Sequence, residues 1–480
     1  MENLNEKCGV FGIYSKDREV ARIAFFGLFA LQHRGQEASG IAATDGKHLR
    51  SFRNKGLVSN VFTEEKIKKL AGFAAIGHNR YSTSKGNHVS HAQPVIIDPV
   101  IDPSYKGGGI RANDGLLALA HNGNLPSTAA LVSFLSKKNI PTTEGESDSE
   151  LMARAISVYL REGKTLPETV RACYPLFTGT FSLLVLTKDS LIAVRDKCGI
   201  RPLSLGKLDG GYVIASETCS FKTIGAEFLR DVEPGEMVII GEKGISSEQI
   251  VPPDPKFDLF EFVYFARPDS NLMGKLVYEV RKKCGEQLAK EHPVKADIVV
   301  PVPETAIAAA IGYSNVSGIP IEMALVKNRY IHRTFIEPEQ HTREATVKLK
   351  LNPLPEMLAG KRVVIIDDSI VRGTTSRQIV RELFEAGAKE VHFLVSSPPV
   401  KYPDFYGIDT PEQKNLIGSH KTVEEIRKFL GATSLHYLSL EGLIASTGLP
   451  KENFCTSCFT GEYPIDILER KKELYVRKHS

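Results

Sequence analysis

The sequence predicts a two-part α/β chain. Stacked antiparallel sheets with flanking helices occupy residues 8–240, and a doubly wound parallel-sheet domain follows over 266–450. Three observations predict it. Up to about residue 240, short β-type runs bounded by Gly, Asn and Asp are interrupted by two stretches of helical periodicity. The prolines of VPPDPKFD (251–258) then mark a boundary, within a linker at 241–265. Beyond it, β-branched apolar runs without alternation are separated by amphipathic helical segments, the pattern of a sheet covered on both faces. Residues 451–480 form a tail, and there is no internal repeat or low-complexity tract.

In chain order, FAAIGHNRYST, LLALAHNGNL, GTFSLLVLT, SLIAVRD, GGYVIASE and MVIIGE read as strands of the first part. REVARIAFFGLFALQHRG and SDSELMARAISVYLREG read as its helices, the second starting at Ser147–Asp148 with Glu150 close behind. In the second part KADIVVPVP, IPIEMALV, KRVVIIDDS and EVHFLVSS are strands, and TSRQIVRELFEAGA is a helix. Of the 480 residues 42% are hydrophobic and 25% charged, an ordinary globular balance. A net charge of +4 is too slight to argue for nucleic acid or an anionic membrane as partner. Apolar runs fall short of the ~18 residues of a membrane span, and the polar leader MENLNEK lacks the layout of a secretory signal. Seven cysteines, an odd number, suggest no disulfide framework, and a cytoplasmic chain is expected.

KRVVIIDDSIVRGTTSRQIV carries the clearest chemistry. A buried strand runs into Asp367 and Asp368, then into the turn Ser369-Ile370-Val371-Arg372-Gly373-Thr374-Thr375 and a helix. Ligands of open parallel sheets sit at the carboxyl ends of strands. Small residues and hydroxyls at a helix start let backbone N–H groups surround a phosphate, while the carboxylates face ribose hydroxyls or a hydrated Mg²⁺. Neither a Walker A loop nor G-x-G-x-x-G is present. An acidic strand end with a polar turn is the plainer reading of the Asp-Asp pair alone; the strand, carboxylates, turn and helix in register argue against it.

VVIIDDSIVRGTT resembles the phosphoribosyl pyrophosphate signature of the type I phosphoribosyltransferases. The resemblance implies that Asp367 and Asp368 meet the ribose hydroxyls and Mg²⁺, and that Ser369, Arg372, Gly373, Thr374 and Thr375 belong to the 5′-phosphate cradle. It also places Thr305 of VPVPETA near the metal, where a serine is frequent. VKNRYIHRTFIEP…VKLKLN (326–352) resembles the family's mobile lid, with Lys327, Arg329, Arg333, Lys348 and Lys350 as cations for a diphosphate.

Cys8, after the polar leader, would alone be a packed small residue. The polar segments ALQHRGQEASGIA, IGHNRYSTSKG, LAHNGNL and EGESDSELMA lie at strand and helix ends. Splitting an amide needs a nucleophile, a proton carrier, oxyanion donors and a grip on the substrate's charged end. Together these segments resemble the class II glutamine amidotransferases, members of the N-terminal nucleophile hydrolases, whose fold is a four-layer αββα sandwich. The resemblance implies Cys8 as nucleophile, Asn122 and Gly123 as oxyanion donors, Arg80 and Asp148 as ligands of glutamine, and Arg34 as a support for Cys8. An α-amine on Cys8 has an unperturbed pKa near ~8 and can act as base. The expectation is therefore that residues 1–7 are a propeptide removed at Lys7–Cys8.

The pair of domains resembles the glutamine-dependent enzymes that aminate phosphoribosyl pyrophosphate. Ammonia from glutamine would travel inside the protein to C1 of the ribose and displace pyrophosphate, giving 5-phosphoribosylamine. Tyr264 matches the residue coupling the two sites, and the resemblance also implies purine nucleotide inhibitors and a homotetramer. Two rivals are weighed: a hexose-phosphate transamidase sharing the first domain, whose partner domain would lack D-D-S-x-x-R-G-T-T, and a non-catalytic nucleotide-sensing regulator, which would need a DNA-contacting module or basic stripe. Many relatives carry a [4Fe–4S] cluster on four cysteines. Here Cys455 and Cys458 match two positions, and Asp258 and Asp404 stand at the others, so no cluster is expected. An Asp₂Cys₂ metal site stays open beside the expected reading, a packed or redox-labile remnant.

Overall fold

The computed structural model describes residues 8–81, 91–98, 115–143, 145–328, 351–408, 410 and 412–474. Gly9–Ser15 is the central strand of a seven-stranded antiparallel sheet. Gly211–Ala215, Ser204–Leu208 and Glu227–Asp231 lie outward on one side, and Ala74–Arg80, Ala38–Thr44 and Leu49–Lys55 on the other. A six-stranded antiparallel sheet runs Gly244–Gln249, Glu236–Gly241, Leu191–Arg195, Thr180–Leu186, Leu117–Asn124, Val95–Ile97.

The two-residue alternation of strands sorts side chains between layers. Val10, Tyr14, Ile76, Ala118, Ala120 and Leu184 pack between the sheets. Phe11, Ile13 and Ala75 point the other way, against Ala24 and Leu28 of the helix Val20–Ala30. Leu117, Leu119, Leu183 and Val185 meet Met152 and Ile156 of the helix Asp148–Arg161. The result is the helix–sheet–sheet–helix sandwich. Helices beyond the expected pair also flank it, the longest of them Ala129–Lys137 and Leu166–Cys173. Each spans barely two turns, too few for a periodicity to stand out.

The second part is built on four parallel strands in the order Ile298–Pro301, Arg362–Asp367, Glu390–Val395, Ser434–Tyr437. Val299, Val300, Val363 to Ile366, Val391 and Phe393 are fully buried, as unalternating strands covered on both faces require. Helices Val277–Glu291 and Ile307–Ser317 cross with their backbones in contact. A Cβ on Gly285 would stand 1.8 Å from Ala309 O, and one on Gly312 1.9 Å from Lys282 O. Among the described residues, no helix is long and apolar enough to cross a membrane.

The two parts meet through polar contacts. Asn124 Nδ2 donates to Phe405 O at 2.8 Å, and Thr180 Oγ1 to Tyr406 O at 3.0 Å. A short π-helical turn, Glu261–Phe265, lies at the junction.

Candidate functional site

Around Cys8 the structure collects residues from five separate segments. Cys8 precedes the central strand, where burial raises its thiol pKa while Tyr81 O (3.9 Å from Sγ), Arg80 and Arg34 counteract, and Asp148 adds to the rise. Arg34 lies in a single 3₁₀ turn after the first helix and is 1% exposed. Its Nε donates to Cys8 O at 3.3 Å, Nη2 donates to Glu261 Oε1 at 2.8 Å, and Nη1 bonds Glu217. Burial disfavours its charge, but Glu261 and Glu217 outweigh that and keep it a cation. Gly35 lets this turn approach strand Ala74–Arg80, because a Cβ there would lie 2.6 Å from Arg80 C.

Asn122 and Gly123 end the strand Leu117–Asn124. Asn122 Nδ2 reaches Ser216 Oγ at 3.4 Å, and the same hydroxyl accepts from Val10 N at 3.0 Å, so one serine ties the Asn-Gly end to the Cys8 strand. Gly123 has φ +154°, and a Cβ there would meet Thr180 O at 2.1 Å. Asp148 is the first residue of its helix, behind Ser147, which forms a capping box with Glu150. Its carboxylate accepts from Leu125 N at 3.1 Å and Ser149 N at 2.7 Å.

The sequence reading missed the groups that fasten these pieces. Gln93 accepts from His121 N at 2.7 Å and donates to Ser149 Oγ at 3.1 Å, bridging the Asn-Gly strand and the Asp148 helix. Glu217, fully buried, accepts from His33 Nε2 at 2.7 Å, Arg267 N at 2.9 Å and Ser270 Oγ at 2.7 Å besides Arg34. Burial would raise its pKa, but His33 and Arg34 hold it well below the carboxylate range. Glu217 lies in the segment SETCSF (216–221) and Gln93 in HAQP (91–94), neither of which shows a partner in the sequence.

In the second part, Val302, Pro303, Thr305, Asp367, Asp368, Ser369, Val371, Gly373, Thr375 and Ser376 line an open cleft. Asp367 ends its strand, and Asp368 N donates to Asp367 Oδ1 at 2.9 Å. Ser369 Oγ donates to Asp368 Oδ1 at 2.6 Å, and Thr305 Oγ1 bonds Asp368 Oδ2. Burial pushes both carboxyls up, and for Asp367 the neighbouring Asp368 adds to it. Gly373 (φ +81°) caps the twelve-residue helix Thr374–Glu385. Arg372 and Thr374 belong to the same turn without lining the cleft. Lys327 ends the strand Leu325–Lys327, which pairs with Leu351–Pro353. Arg329, Arg333, Lys348 and Lys350, like residues 1–7, lie outside the described residues. Tyr264, in the junction turn, is partly buried against the second core with its ring centroid 5.4 Å from that of Phe265.

The positions compared with cluster ligands do not fit a cluster. The buried Arg201 guanidinium donates to Asp258 Oδ2 at 2.7 Å, Asp404 Oδ1 at 3.2 Å and Tyr406 O at 2.7 Å. A cation already stands between the two carboxylates. Burial, with Asp258 adding to it, pushes the Cys455 thiol up to about 12 and the Cys458 thiol well above its ordinary value. Among the described residues, no group of three or more His, Cys, Asp or Glu is disposed to hold a metal ion. Removing the guanidinium strands two buried carboxylates, so Arg201→Met is expected to cost about 3–5 kcal/mol in urea unfolding. Metal analysis of the purified protein is expected to find no iron. Burial also pushes Asp258 and Asp404 up to about 6, above the ~3.9 of an unfolded aspartate. Their contribution to stability is therefore full below pH ~4 and is lost as pH rises through about 6. Asp404→Asn should flatten that slope in unfolding midpoints measured against pH.

Fold and sites define a glutamine amidotransferase of the N-terminal nucleophile type joined to a type I phosphoribosyltransferase. Residues 102–223 match the model of a glutamine amidotransferase domain, and 274–402 that of a phosphoribosyl transferase domain. The chain is 47% identical to the amidophosphoribosyltransferase of Synechocystis, over 96% of this chain and 92% of the relative, and 44% identical to that of Bacillus subtilis, over 98% and 96%. The solved B. subtilis glutamine phosphoribosylpyrophosphate amidotransferase complexed with ADP and GMP superposes with a TM-score of 0.86 at 43% identity, covering 96% of this chain and 98% of that one. The chain belongs to the amidophosphoribosyltransferase family. It is a pentosyltransferase that uses glutamine to aminate phosphoribosyl pyrophosphate in purine synthesis.

Proposed function

We propose that Cys8, exposed as the first residue by removal of residues 1–7, attacks the side-chain amide of glutamine with its own α-amine as base. The supporting observation is the setting of its thiol, which feels Arg80, Arg34 and Asp148 together at the end of the central strand. Arg80 takes the substrate carboxylate and Asp148 its ammonium. Asn122 Nδ2 and Gly123 N stabilise the oxyanion, and water then releases glutamate. Ammonia passes the Tyr264 turn within the protein, because in water it would be largely protonated and no longer nucleophilic. At the second site the N-terminal backbone of the helix Thr374–Glu385, with Ser369, Arg372, Gly373, Thr374 and Thr375, holds the 5′-phosphate. Lys327, Arg333 and Lys350 take the diphosphate.

Two adjacent buried carboxylates with raised pKa values fit a divalent cation, and Asp367, Asp368 and Thr305 would hold Mg²⁺. Bound there, it would neutralise charge building on the departing pyrophosphate. Purine nucleotides act as inhibitors, and a cytoplasmic homotetramer is the working state. Given glutamine, Mg²⁺ and phosphoribosyl pyrophosphate, the purified protein should release glutamate and pyrophosphate in equal amounts, with Cys8 as the first residue on N-terminal sequencing. Glutamate release indifferent to phosphoribosyl pyrophosphate would overturn the coupling, and active enzyme retaining Met1–Lys7 would overturn the assignment of the base.

A further inference from the structure

Gln93 stands just ahead of the strand Val95–Ile97, in a segment pinned from several sides. Arg53 Nη1 donates to Pro94 O at 2.9 Å and also to Ala92 O. Gly40 lets the backbone pass, because a Cβ there would stand 2.1 Å from Gln93 O. Val95 pairs with Leu119 of the strand that ends in Asn122 and Gly123. Both ends of the Gln93 amide are used. Its Oε1 accepts from His121 N at 2.7 Å, and its Nε2 donates to Ser149 Oγ at 3.1 Å. A backbone N–H can only donate, so the partners fix which way the amide points.

Each partner sits one residue from a proposed ligand of glutamine. His121 precedes Asn122, and Ser149 follows Asp148. The His121 ring spans the same gap. Its Nε2 donates to Thr180 O at 3.2 Å, and its Nδ1 faces Ser149 Oγ at 3.1 Å. A Cβ on Gly123 would lie 2.8 Å from that Nε2, so the ring rests against Gly123 as well. Ser149 Oγ lies 3.2 Å from Asp148 Oδ1. His121 and Ser149 are each 2% exposed. Hydrogen bonds buried in this way resist stretching, because a buried polar group that loses its partner bears the full cost of desolvation. The separation between the Asn-Gly strand end and the first turn of the Asp148 helix is therefore held by a braced bridge.

We propose that Gln93 is a positioning residue that sets the length of the substrate. By bridging these two elements it keeps the oxyanion donors and the ammonium ligand one glutamine apart, and so selects glutamine over asparagine, its homologue one methylene shorter. A glutamine held at Asp148 brings its amide carbon to Asn122 and Gly123, and an asparagine held the same way falls short of them. A misplacement of about 1 Å at a reacting centre can cost about 10²-fold. The proposal deepens the reading given under Proposed function and rests on its assignment of Asn122, Gly123 and Asp148.

The test compares wild type, Gln93→Met and Ser149→Ala in hydrolysis of glutamine, hydrolysis of asparagine and 5-phosphoribosylamine formation from ammonium salts. Gln93→Met keeps the reach of the side chain without its two hydrogen bonds. Ser149→Ala removes the far end of the bridge, and it serves alone if the first variant does not fold. One methylene commonly decides about 10- to 200-fold in kcat/KM. In both variants the glutamine-to-asparagine ratio of kcat/KM should fall about tenfold, within that range. The KM for glutamine should rise, while the ammonia-dependent rate is kept. An unchanged ratio with both amides hydrolysed more slowly would overturn the proposal and leave Gln93 a structural residue. Asparagine hydrolysis below detection in the variants, or parallel loss of the ammonia-dependent rate, would overturn it too. Amide hydrolysis undiminished in Cys8→Ser would instead overturn the site reading on which it rests.

Discussion

Cys8→Ser is expected to abolish amination from glutamine, by at least about 10⁴-fold as for other nucleophile deletions, while amination from ammonium salts survives. The asymmetry follows from the architecture. Cys8 belongs to the sandwich, whose cores are separate from the one around the parallel sheet. Loss of one thiol atom leaves the cleft at Asp367 and Asp368 intact. Assaying both nitrogen donors on one preparation makes the result decisive: if the ammonia-dependent rate falls equally, Cys8 holds the fold together and is no nucleophile. The serine hydroxyl is also far less acidic than the thiol, so the nearby Arg80 and Arg34 give it little ionised fraction.

Asp367→Asn should do the reverse, lowering amination from either donor by about 10²–10³-fold, the usual cost of removing one electrostatic contact to a developing charge. Basal glutamine hydrolysis should persist. The same substitution should raise the unfolding midpoint, because burial beside Asp368 makes the second carboxylate unfavourable in the folded chain. A gain of about 0.5–2 kcal/mol would match other sites where function is held at the expense of stability. Activity lost with stability gained identifies a binding carboxylate. Loss of both would mean that Asp367 is a structural residue.

Both predictions rest on residues that the sequence made legible, and the reason is locality. Asp367, Asp368, Ser369 and Gly373 lie on consecutive positions of a strand–turn–helix unit, so spacing alone brings them together. Ser147, Asp148 and Glu150 are legible for the same reason, as one helix cap. Arg34 with Glu217 and Glu261, or Arg201 with Asp258 and Asp404, are pairs brought together from 57 to 227 positions apart. No local pattern encodes such a meeting. Asp258 and Asp404 were visible as departures from a cysteine pattern, but their partner was not. Its segment, GIRPL (199–203), gives no sign of the two carboxylates it meets until folding buries the guanidinium completely. Gln93 escaped similarly, because only pairing of Val95–Ile97 with Leu117–Asn124 carries it to His121.

The ion cluster at Arg201 also bears on how such a protein ages. A seam made of iron and sulfide fails by oxidation, at a rate set by the oxidant. A seam made of a guanidinium and two carboxylates contains nothing oxidisable, and the adjacent Cys455 and Cys458 are buried and held as thiols. At this seam, what is left to fail is the opening of the junction, a rate governed by temperature and ionisation rather than by air.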